Sequence, residues 1–212
     1  MAYFKNISRV GKLLYPSLLW NKPRESKTIY LTFDDGPHPT ITAWVINTLK
    51  KHQAKATFFC VGENISKYPE VISGIIKAGH RCGNHTYNHL KGWETSNMEY
   101  LDNVSKAETI LNEQLGAKAR NNLFRPPYGK IKPSQIKALQ KLDYKIVMWD
   151  VLSADFDAEI TTEQCYKNVV KLGKPGSIVV FHDSVKASEK LKEVLPRVLD
   201  HFSEKGYSFK AL

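Results

Sequence analysis

The sequence lacks an apolar run long enough to cross a bilayer. A spanning helix needs roughly 20 consecutive, mostly apolar residues, whereas the apolar run at residues 13–20 is short and is broken by Pro16 and Ser17. A secretory signal has a longer apolar region and a small-residue cleavage site. The sequence therefore predicts neither feature, and leaves a cytoplasmic location and an envelope-associated one both open. Because basic residues precede the run, a peripheral contact with the envelope is a further expectation.

Cysteine is scarce, and its spacing excludes two kinds of site. Cys60, Cys82 and Cys165 are an odd number of residues at wide separation, which fits neither a disulfide framework nor a Cys-x-x-Cys metal knuckle. Small buried thiols are the expectation for all three. The sequence also has no low-complexity tract and no internal repeat, so a disordered chain, a solenoid and a propeller are not expected.

Acidic residues are fewer than basic ones, but the basic residues are not clustered in the sequence. The chain has 31 Lys and Arg against 21 Asp and Glu, a formal net charge of +10. Nucleic-acid-binding proteins concentrate Lys and Arg in a stripe or a recognisable motif, whereas here these residues are spread along the chain. The sequence thus predicts no nucleic-acid partner. The excess is either an ordinary basic surface or a source of long-range attraction to an anionic polymer or envelope.

Strand-like and helix-like segments alternate along the chain. Residues 28–33 are β-branched and aromatic, residues 40–52 have apolar side chains at helical spacing, and the alternation continues to the C-terminus. This order implies a parallel sheet covered by helices. A Gly-rich phosphate loop is missing after the first strand, which disfavours a doubly wound nucleotide-binding sheet. We predict an α/β fold, a distorted, incomplete (β/α) barrel of about seven strands, as a single domain over residues 27–212. Residues 1–26 are expected to pack on this domain or flank it.

Reactive side chains follow the predicted strands at their C-terminal ends. In a barrel of parallel strands, the loops from different strands converge at that rim. The residues are Asp34, Asp35, His85, His89, Arg125, Asp155 and His182. Because they come from distant segments, we expect them to form one site.

Two of these histidines have the spacing of a metal site. His85 and His89 are four residues apart, so both imidazoles can face the same way on a turn. With Asp35 they provide two nitrogens and a carboxylate, a first shell that suits zinc and leaves positions open for water. Cobalt or another divalent ion stays open. An isolated His-x-x-x-His pair is a weak signal, and the other rim residues strengthen it.

The remaining rim residues suggest a proton-transfer pair. A bound divalent metal lowers the pKa of water from about 16 towards about 7, so Asp34 can accept that proton as a general base. Arg125 is expected to hold Asp34 by a charge-assisted hydrogen bond. His182 suits a general acid, and an acidic neighbour would raise its pKa. Asp155 is the preferred neighbour; Asp150 and Asp183 remain alternatives.

Two aromatic residues lie beside these motifs. Tyr128 and Phe156 could stack on a sugar face, although simple packing would explain them equally well. A backbone amide near Tyr128, together with the metal, could hold a developing oxyanion.

Five motifs in this order resemble those of the polysaccharide deacetylases, the NodB-homology family of carbohydrate esterases. They are TFDDGP at residues 32–37, HTYNH at 85–89, RPPY at 125–128, LSADF at 152–156 and IVVFH at 178–182. The resemblance covers residues 27–212. It implies a distorted barrel, a zinc-type site of one aspartate and two histidines, Asp34 as base and His182 as acid.

Three positions depart from the family pattern. Leu90 stands where the second motif usually ends in proline. The fourth motif usually has two aspartates and a tryptophan, and here Leu152 replaces the first aspartate and Phe156 the tryptophan. Asp155 is retained, so the departures bear on substrate shape and turnover rather than on the partner of His182.

The expected activity is hydrolysis of the N-acetyl amide of N-acetylglucosamine units, in peptidoglycan or a chitin-like oligomer. Two alternatives stay open: a metal-dependent amidase acting on a small cyclic amide or imide, and a non-catalytic carbohydrate-binding protein. A carbohydrate polymer is the expected partner in the first case, and the sequence predicts no oligomeric state.

Overall fold

Strands and helices alternate through the computed structural model, which describes residues 7–116 and 122–212. The strands are β1 (Thr28–Asp34), β2 (Ala56–Cys60), β3 (Arg81–Asn84), β4 (Leu123–Phe124), β5 (Lys145–Ile146), β6 (Val151–Leu152), β7 (Ile178–His182) and β8 (Ser208–Phe209). The α-helices are α1 (Ile7–Leu14), α2 (Ile41–Lys51), α3 (Gly62–Lys67), α4 (Pro69–Lys77), α5 (Asn97–Leu115), α6 (Pro133–Lys141), α7 (Thr162–Leu172) and α8 (Ser188–Glu204). Short 3-10 turns cover Gly92–Glu94 and Pro127–Gly129.

Seven strands form one path in the order β5-β4-β3-β2-β1-β7-β6, and β8 pairs with the start of β1. Every strand pair is parallel. The predicted α/β fold, a distorted and incomplete barrel of about seven strands, is therefore confirmed. The parallel arrangement brings the carboxyl ends of all these strands to one rim.

The stretch at residues 145–152 contributes two separate strands. The start of the stretch is β5, which pairs with β4 at one edge of the sheet. The end of the stretch is β6, which pairs with β7 at the opposite edge. Between them, the Val147 N–H donates to Phe124 O (2.8 Å) and the Asp150 N–H to Ile178 O (3.2 Å). One partner cannot satisfy the whole stretch because the chain crosses from one edge to the other. This crossing brings the two edges of the sheet together.

The period-two alternation of β1 separates the helix-covered core from the barrel interior. Ile29, Leu31 and Phe33 belong to the largest apolar cluster, which also contains buried side chains of α2, α7 and α8. The alternate residues Thr32 and Asp34 point to the other face, where they meet Arg125. The sheet therefore presents its polar side chains to the interior, close to the rim.

The long helix expected near residues 98–115 is present as α5. Ser96 caps it by accepting a hydrogen bond from the Glu99 N–H (3.2 Å), the usual role of an N-cap serine. By contrast, α1 and α3 were not anticipated. Both have eight residues or fewer, too short for apolar periodicity to distinguish them from loops.

Residues 11–20, which precede β1, pack against the barrel. Trp20 is buried with Leu18, and its Nε1 donates to Tyr15 O (3.0 Å). A Cβ at Gly11 would lie 2.2 Å from the Trp20 ring, so α1 can sit on this ring only with glycine there. Leu19 forms a parallel bridge with Val147.

The outer face of α1 is apolar and exposed at Val10, Leu13 and Leu14. Within the described residues, no helix combines the length and apolar character needed to cross a membrane.

Replacing Trp20 by Ala is expected to lower the free energy of unfolding by about 3–5 kcal/mol, the usual cost of truncating a buried tryptophan. Urea denaturation followed by circular dichroism measures this. The matched control is Trp93→Ala, because Trp93 is 60% exposed and its loss should cost less than about 1 kcal/mol. Equal, small losses in the two variants would mean that the segment before β1 is not part of the cooperative domain.

Candidate active site

The rim residues singled out in the sequence come together at the carboxyl ends of the strands. Asp34 ends β1 and is in register with His182, which ends β7. His85 follows β3 directly, and Arg125 follows β4. Strand register thus gathers residues that are up to about 150 positions apart in the sequence onto one surface, as expected for a parallel barrel.

Asp35, His85 and His89 form a compact group of metal-ligand type. Their ligand atoms all lie within 4.8 Å of one another. Asp35 Oδ1 is 3.2 Å from His89 Nε2 and 3.7 Å from His85 Nε2. His85 is buried, whereas His89 and Asp35 keep 26% and 29% of their side-chain surface exposed. One side of the group is therefore open to solvent.

Hydrogen bonds at Nδ1 fix the orientation of both imidazole rings. His85 Nδ1 lies 2.8 Å from Arg125 O, and because a carbonyl only accepts, this nitrogen must donate. The Nε2 lone pair of neutral His85 then points towards Asp35. His89 Nδ1 lies 3.1 Å from the Tyr128 hydroxyl. Partners of this kind fix the orientation and tautomer of metal-binding histidines.

Burial and charge set the protonation of this group. Burial lowers the pKa of His85 to about 4, so its imidazole is neutral at pH 7 and has a free lone pair. Burial alone would raise the pKa of Asp35, but the hydrogen bond with His89 and the nearby histidine charges hold it well below its usual range. His85 and Asp35 are thus in the protonation states that metal binding requires.

Arg125 and Asp34 form a buried ion pair beside this group. The guanidinium NH1 lies 2.6 Å from Asp34 Oδ1 and 2.7 Å from Thr32 Oγ1. The other nitrogens donate to Val147 O (3.3 Å) and Met148 O (3.1 Å). Neither side chain has more than 6% of its surface exposed. Each hydrogen bond in this set offsets part of the cost of burying the charges.

His182 and Asp155 form a second ion pair at the rim. His182 Nδ1 lies 2.7 Å from Asp155 Oδ1, and the His182 N–H donates to Asp155 Oδ2 (2.8 Å). Burial would lower the pKa of His182, but the charge and hydrogen bond of Asp155 outweigh it and raise that pKa to about 9. The imidazole is therefore protonated at neutral pH.

The two alternative partners of His182 lie elsewhere. Asp150 is near the start of β7, where it accepts hydrogen bonds from Arg24 (2.7 Å) and the Ile178 N–H (2.9 Å). Asp183 lies behind the loop after β1, where it accepts from the Gly36 N–H (3.0 Å) and the Thr42 hydroxyl. Burial raises the pKa of Asp183 to about 7.

Two residues that were not among the predicted site residues hold the site from beneath. Thr32 bonds to Arg125, and Asn64 Nδ2 donates to the carbonyl oxygen of Asp35 (2.8 Å). Thr32 stands within the first motif, two residues before Asp34, and the alternation of a strand puts both on one face. No comparable signal marks Asn64, because it lies on the unanticipated helix α3.

Left-handed backbone conformations concentrate in the site loops. Asp35, Thr86, His89, Tyr128 and Ala154 have φ angles of 79°, 64°, 61°, 58° and 62°. Such conformations are uncommon outside glycine and persist only where surrounding contacts enforce them. The loops therefore carry backbone strain at the positions that present ligands and neighbouring aromatic residues.

Tyr128 and Phe156 lie on opposite sides of the group. The Tyr128 ring packs on His89 with 4.6 Å between ring centroids, and Phe156 meets His182 edge-on at 4.8 Å. Tyr128 is 56% exposed. Tyr128 thus borders the metal-ligand group, and Phe156 borders the His182–Asp155 pair.

Residues read from the sequence as structural lie outside the site. Cys60, Cys82 and Cys165 are free and buried, as expected. His80 accepts a hydrogen bond from the Ala56 N–H (3.2 Å), and burial lowers its pKa to about 4. His201 contacts Tyr166 on the outer helices.

Comparison with known proteins identifies the family. A family model described as polysaccharide deacetylase matches residues 21–147. A peptidoglycan-N-acetylglucosamine deacetylase of Bacillus cereus is 34% identical over 195 residues, which cover 90% of this chain and 88% of the relative. A chitooligosaccharide deacetylase of Azorhizobium caulinodans is 32% identical over 166 residues, 78% of each chain.

A solved structure has the same fold over almost its whole length. It is the crystal structure of a peptidoglycan N-acetylglucosamine deacetylase in complex with 4-naphthalen-1-yl-N-oxidanyl-benzamide, and it is 30% identical with a TM-score of 0.88. The likeness covers 95% of this chain and 94% of that chain. The chain belongs to the polysaccharide deacetylase family of carbohydrate esterases.

Proposed function

We propose that this chain hydrolyses N-acetyl groups from N-acetylglucosamine units of a polysaccharide, either peptidoglycan or a chitin-like oligomer. The observation that carries the proposal is the group of Asp35, His85 and His89 flanked by two ion pairs of opposite arrangement. In one pair an aspartate faces the group with an arginine behind it, and in the other a histidine faces it with an aspartate behind it. Amide hydrolysis needs such a base and such an acid.

The donor set fits a divalent cation, and zinc is the proposed one. Two neutral imidazole nitrogens and one carboxylate oxygen are a common set for catalytic zinc, with positions left for water and substrate. Such ligands also accept cobalt and related ions. When bound, the cation would polarise the acetyl carbonyl and acidify water. The relative solved with an N-hydroxyamide supports this assignment, because that group offers two adjacent oxygen donors.

Asp34 is the proposed general base. It takes a proton from the attacking water, whose oxygen bonds to the carbonyl carbon of the acetyl group. The ion pair with Arg125 holds the carboxylate through Oδ1, and Oδ2 is the proposed proton acceptor. A neutral asparagine at this position could hold a water but not accept its proton.

His182 is the proposed general acid. As the carbon–nitrogen bond breaks, the departing amine must gain a proton, and a protonated imidazole near the rim can donate it. Asp155 holds the imidazole by its Nδ1, which leaves Nε2 to face the substrate. The products are acetate and a free amino sugar.

Tyr128 and Phe156 are the proposed walls of the sugar site, and the backbone amide of Tyr128 is proposed to help hold the oxyanion. The partial exposure of Asp35, His89 and Tyr128 suits a polymer that approaches from solvent. The named relatives act on peptidoglycan or on chitooligosaccharides, which supports a polymer over a small cyclic amide. A peripheral envelope contact through the exposed face of α1 stays a prediction.

Replacing Asp34 by Asn should lower acetate release from chitooligosaccharides and peptidoglycan by more than about 100-fold, as expected for loss of a general base. The metal content should stay that of the wild type, because Asp34 is not a proposed ligand. Asp102→Asn on the exposed face of α5 is the matched control and should keep full activity. An Asp34→Asn protein that has lost its metal would contradict the separation of roles.

Replacing His89 by Ala should weaken metal binding by more than about 100-fold, since loss of a ligand costs at least as much as loss of a supporting partner. Metal content after dialysis against graded chelator measures this. His52→Ala serves as the control because His52 pairs with Asp200 on the outer helices, away from the site. Equal metal retention in both variants would refute ligation by His89.

Replacing Asp155 by Asn should lower the pKa of His182 from about 9. The partner that raises the pKa is removed, while burial, which lowers it, remains. The protonated acid is then lost at lower pH, so the alkaline limb of the kcat/KM profile moves to lower pH. Imidazole NMR titration of chelator-treated protein measures the pKa directly. Asp150→Asn is the control and should leave it unchanged; a shift there instead would reassign the partner of His182.

A further inference from the structure

Trp93 is exposed in a way that ordinary packing does not explain. Its side chain is 60% exposed, yet its Nε1 donates to Ile131 O (3.0 Å), which fixes the orientation of the indole. An indole whose N–H is already paired presents a broad apolar ring face that a ligand can stack on.

The loop that carries Trp93 is joined to the site. The Gly92 N–H donates to Lys130 O (3.1 Å), and a Cβ at Gly92 would lie only 2.6 Å from that oxygen. This close approach ties the turn Gly92–Glu94 to the turn Pro127–Gly129, which carries Tyr128. Tyr128 in turn packs on His89. The turn that carries Trp93 therefore lies next to the turn whose Tyr128 packs on the ligand group.

Each of these two rings has a lysine ammonium beside it. Lys130 Nζ is 5.4 Å from the centroid of the Trp93 ring, and Lys91 Nζ is 5.6 Å from that of Tyr128. Lys91 also contacts Glu94 (3.2 Å). In the part of the chain that the structure describes, the Lys130 ammonium forms no ion pair. It is available for an anionic group on a ligand that lies across the rings.

The opposite side of the site repeats this combination. Lys186 Nζ is 5.8 Å from the centroid of the Phe156 ring, which meets His182 edge-on. The carboxylates near the ligand group are already paired: Asp34 with Arg125 and Asp155 with His182. A lysine ammonium therefore stands beside an aromatic ring at both the Tyr128 loop and the Phe156 loop.

We propose that Trp93, Tyr128, Lys91 and Lys130 form a lysine–aromatic shelf that binds the sugars next to the acetylated unit and selects polymers bearing carboxylates. The rings would stack on sugar faces, and the ammonium groups would pair with carboxylates such as those of the lactyl ether or stem peptides of peptidoglycan. Chitin offers the same N-acetylglucosamine units without charge. This inference rests on the proposed function and refines its substrate class.

The experiment compares peptidoglycan strands with chitooligosaccharides of similar length, using metal-loaded protein. In the double variant Lys91→Gln/Lys130→Gln, kcat/KM for peptidoglycan should fall about tenfold through KM, the size expected for two partly exposed ion pairs. The value for chitooligosaccharides should change far less. Trp93→Ala should raise KM for both substrates, because stacking does not depend on charge.

A matched control uses a lysine in the same setting away from the site. Lys22 Nζ lies 5.9 Å from the Tyr30 ring centroid, near the amino end of β1, and Lys22→Gln should leave both kcat/KM values unchanged. Raising the salt concentration should reduce the wild-type preference for peptidoglycan, because screening weakens exposed ion pairs, and should not affect the double variant. Strands with and without stem peptides separate the two carboxylate sources.

Binding to insoluble polymer separates this inference from the catalytic proposal. Sedimentation of Asp34→Asn protein with peptidoglycan or chitin measures selection without turnover. One outcome is that binding to peptidoglycan depends on the two lysines while the wild-type protein releases no acetate. This would support the shelf and contradict the deacetylase proposal. The converse outcome is acetate release in which neither the rate nor the binding shows a lysine-dependent difference between the two polymers. This would support the deacetylase proposal and contradict the shelf.

Discussion

The buried guanidinium of Arg125 is the interaction on which the site depends. Its side chain reaches Thr32 and Asp34 on β1 and the carbonyls of Val147 and Met148 in the crossing segment. Its own carbonyl oxygen receives the Nδ1 hydrogen of His85. One residue thus connects the two halves of the barrel, the proposed base and a proposed metal ligand. A buried charge is tolerated only with such complete pairing, so the position of each partner is strongly constrained.

The two ion pairs at the rim have the same arrangement with the charges exchanged: a fully buried charged side chain holds a partner of opposite charge. On one side a buried cation holds an aspartate, and on the other a buried anion holds a histidine. In both, the member behind is fully buried and the member in front is nearer the solvent. The low polarity of the interior strengthens each pair. The fold therefore places the proposed proton acceptor and the proposed proton donor in two separate ion pairs at the rim that also carries the proposed metal ligands.

Much of this arrangement was predictable because it depends on local patterns. Asp34 and Asp35 follow a β-branched strand, and the alternation of apolar segments indicated parallel strands whose ends share a rim. The division of residues 145–152 between β5 and β6 was not predictable, since it depends on which distant edges that segment reaches. Asn64 was missed for a related reason: its helix is too short to leave a periodic signal. The sequence favoured Asp155 as the partner of His182, but excluding Asp150 and Asp183 needed the fold, because all three lie close to the relevant strand ends in sequence.

The bridge between Leu19 and Val147 links the segment before β1 to the backbone that contacts Arg125. The Leu19 N–H donates to Ile146 O, and Leu19 O accepts from the Met148 N–H, so residue 19 holds the backbone whose carbonyls in turn face Arg125. The next residues continue to the start of β7, where the Lys22 N–H donates to Gly176 O (2.8 Å). A segment that contributes no reactive side chain thereby connects the stretch after β5 to the start of β7. A domain boundary drawn by motif alone, at residue 27, would remove that connection and leave the arginine anchored to an unsupported edge.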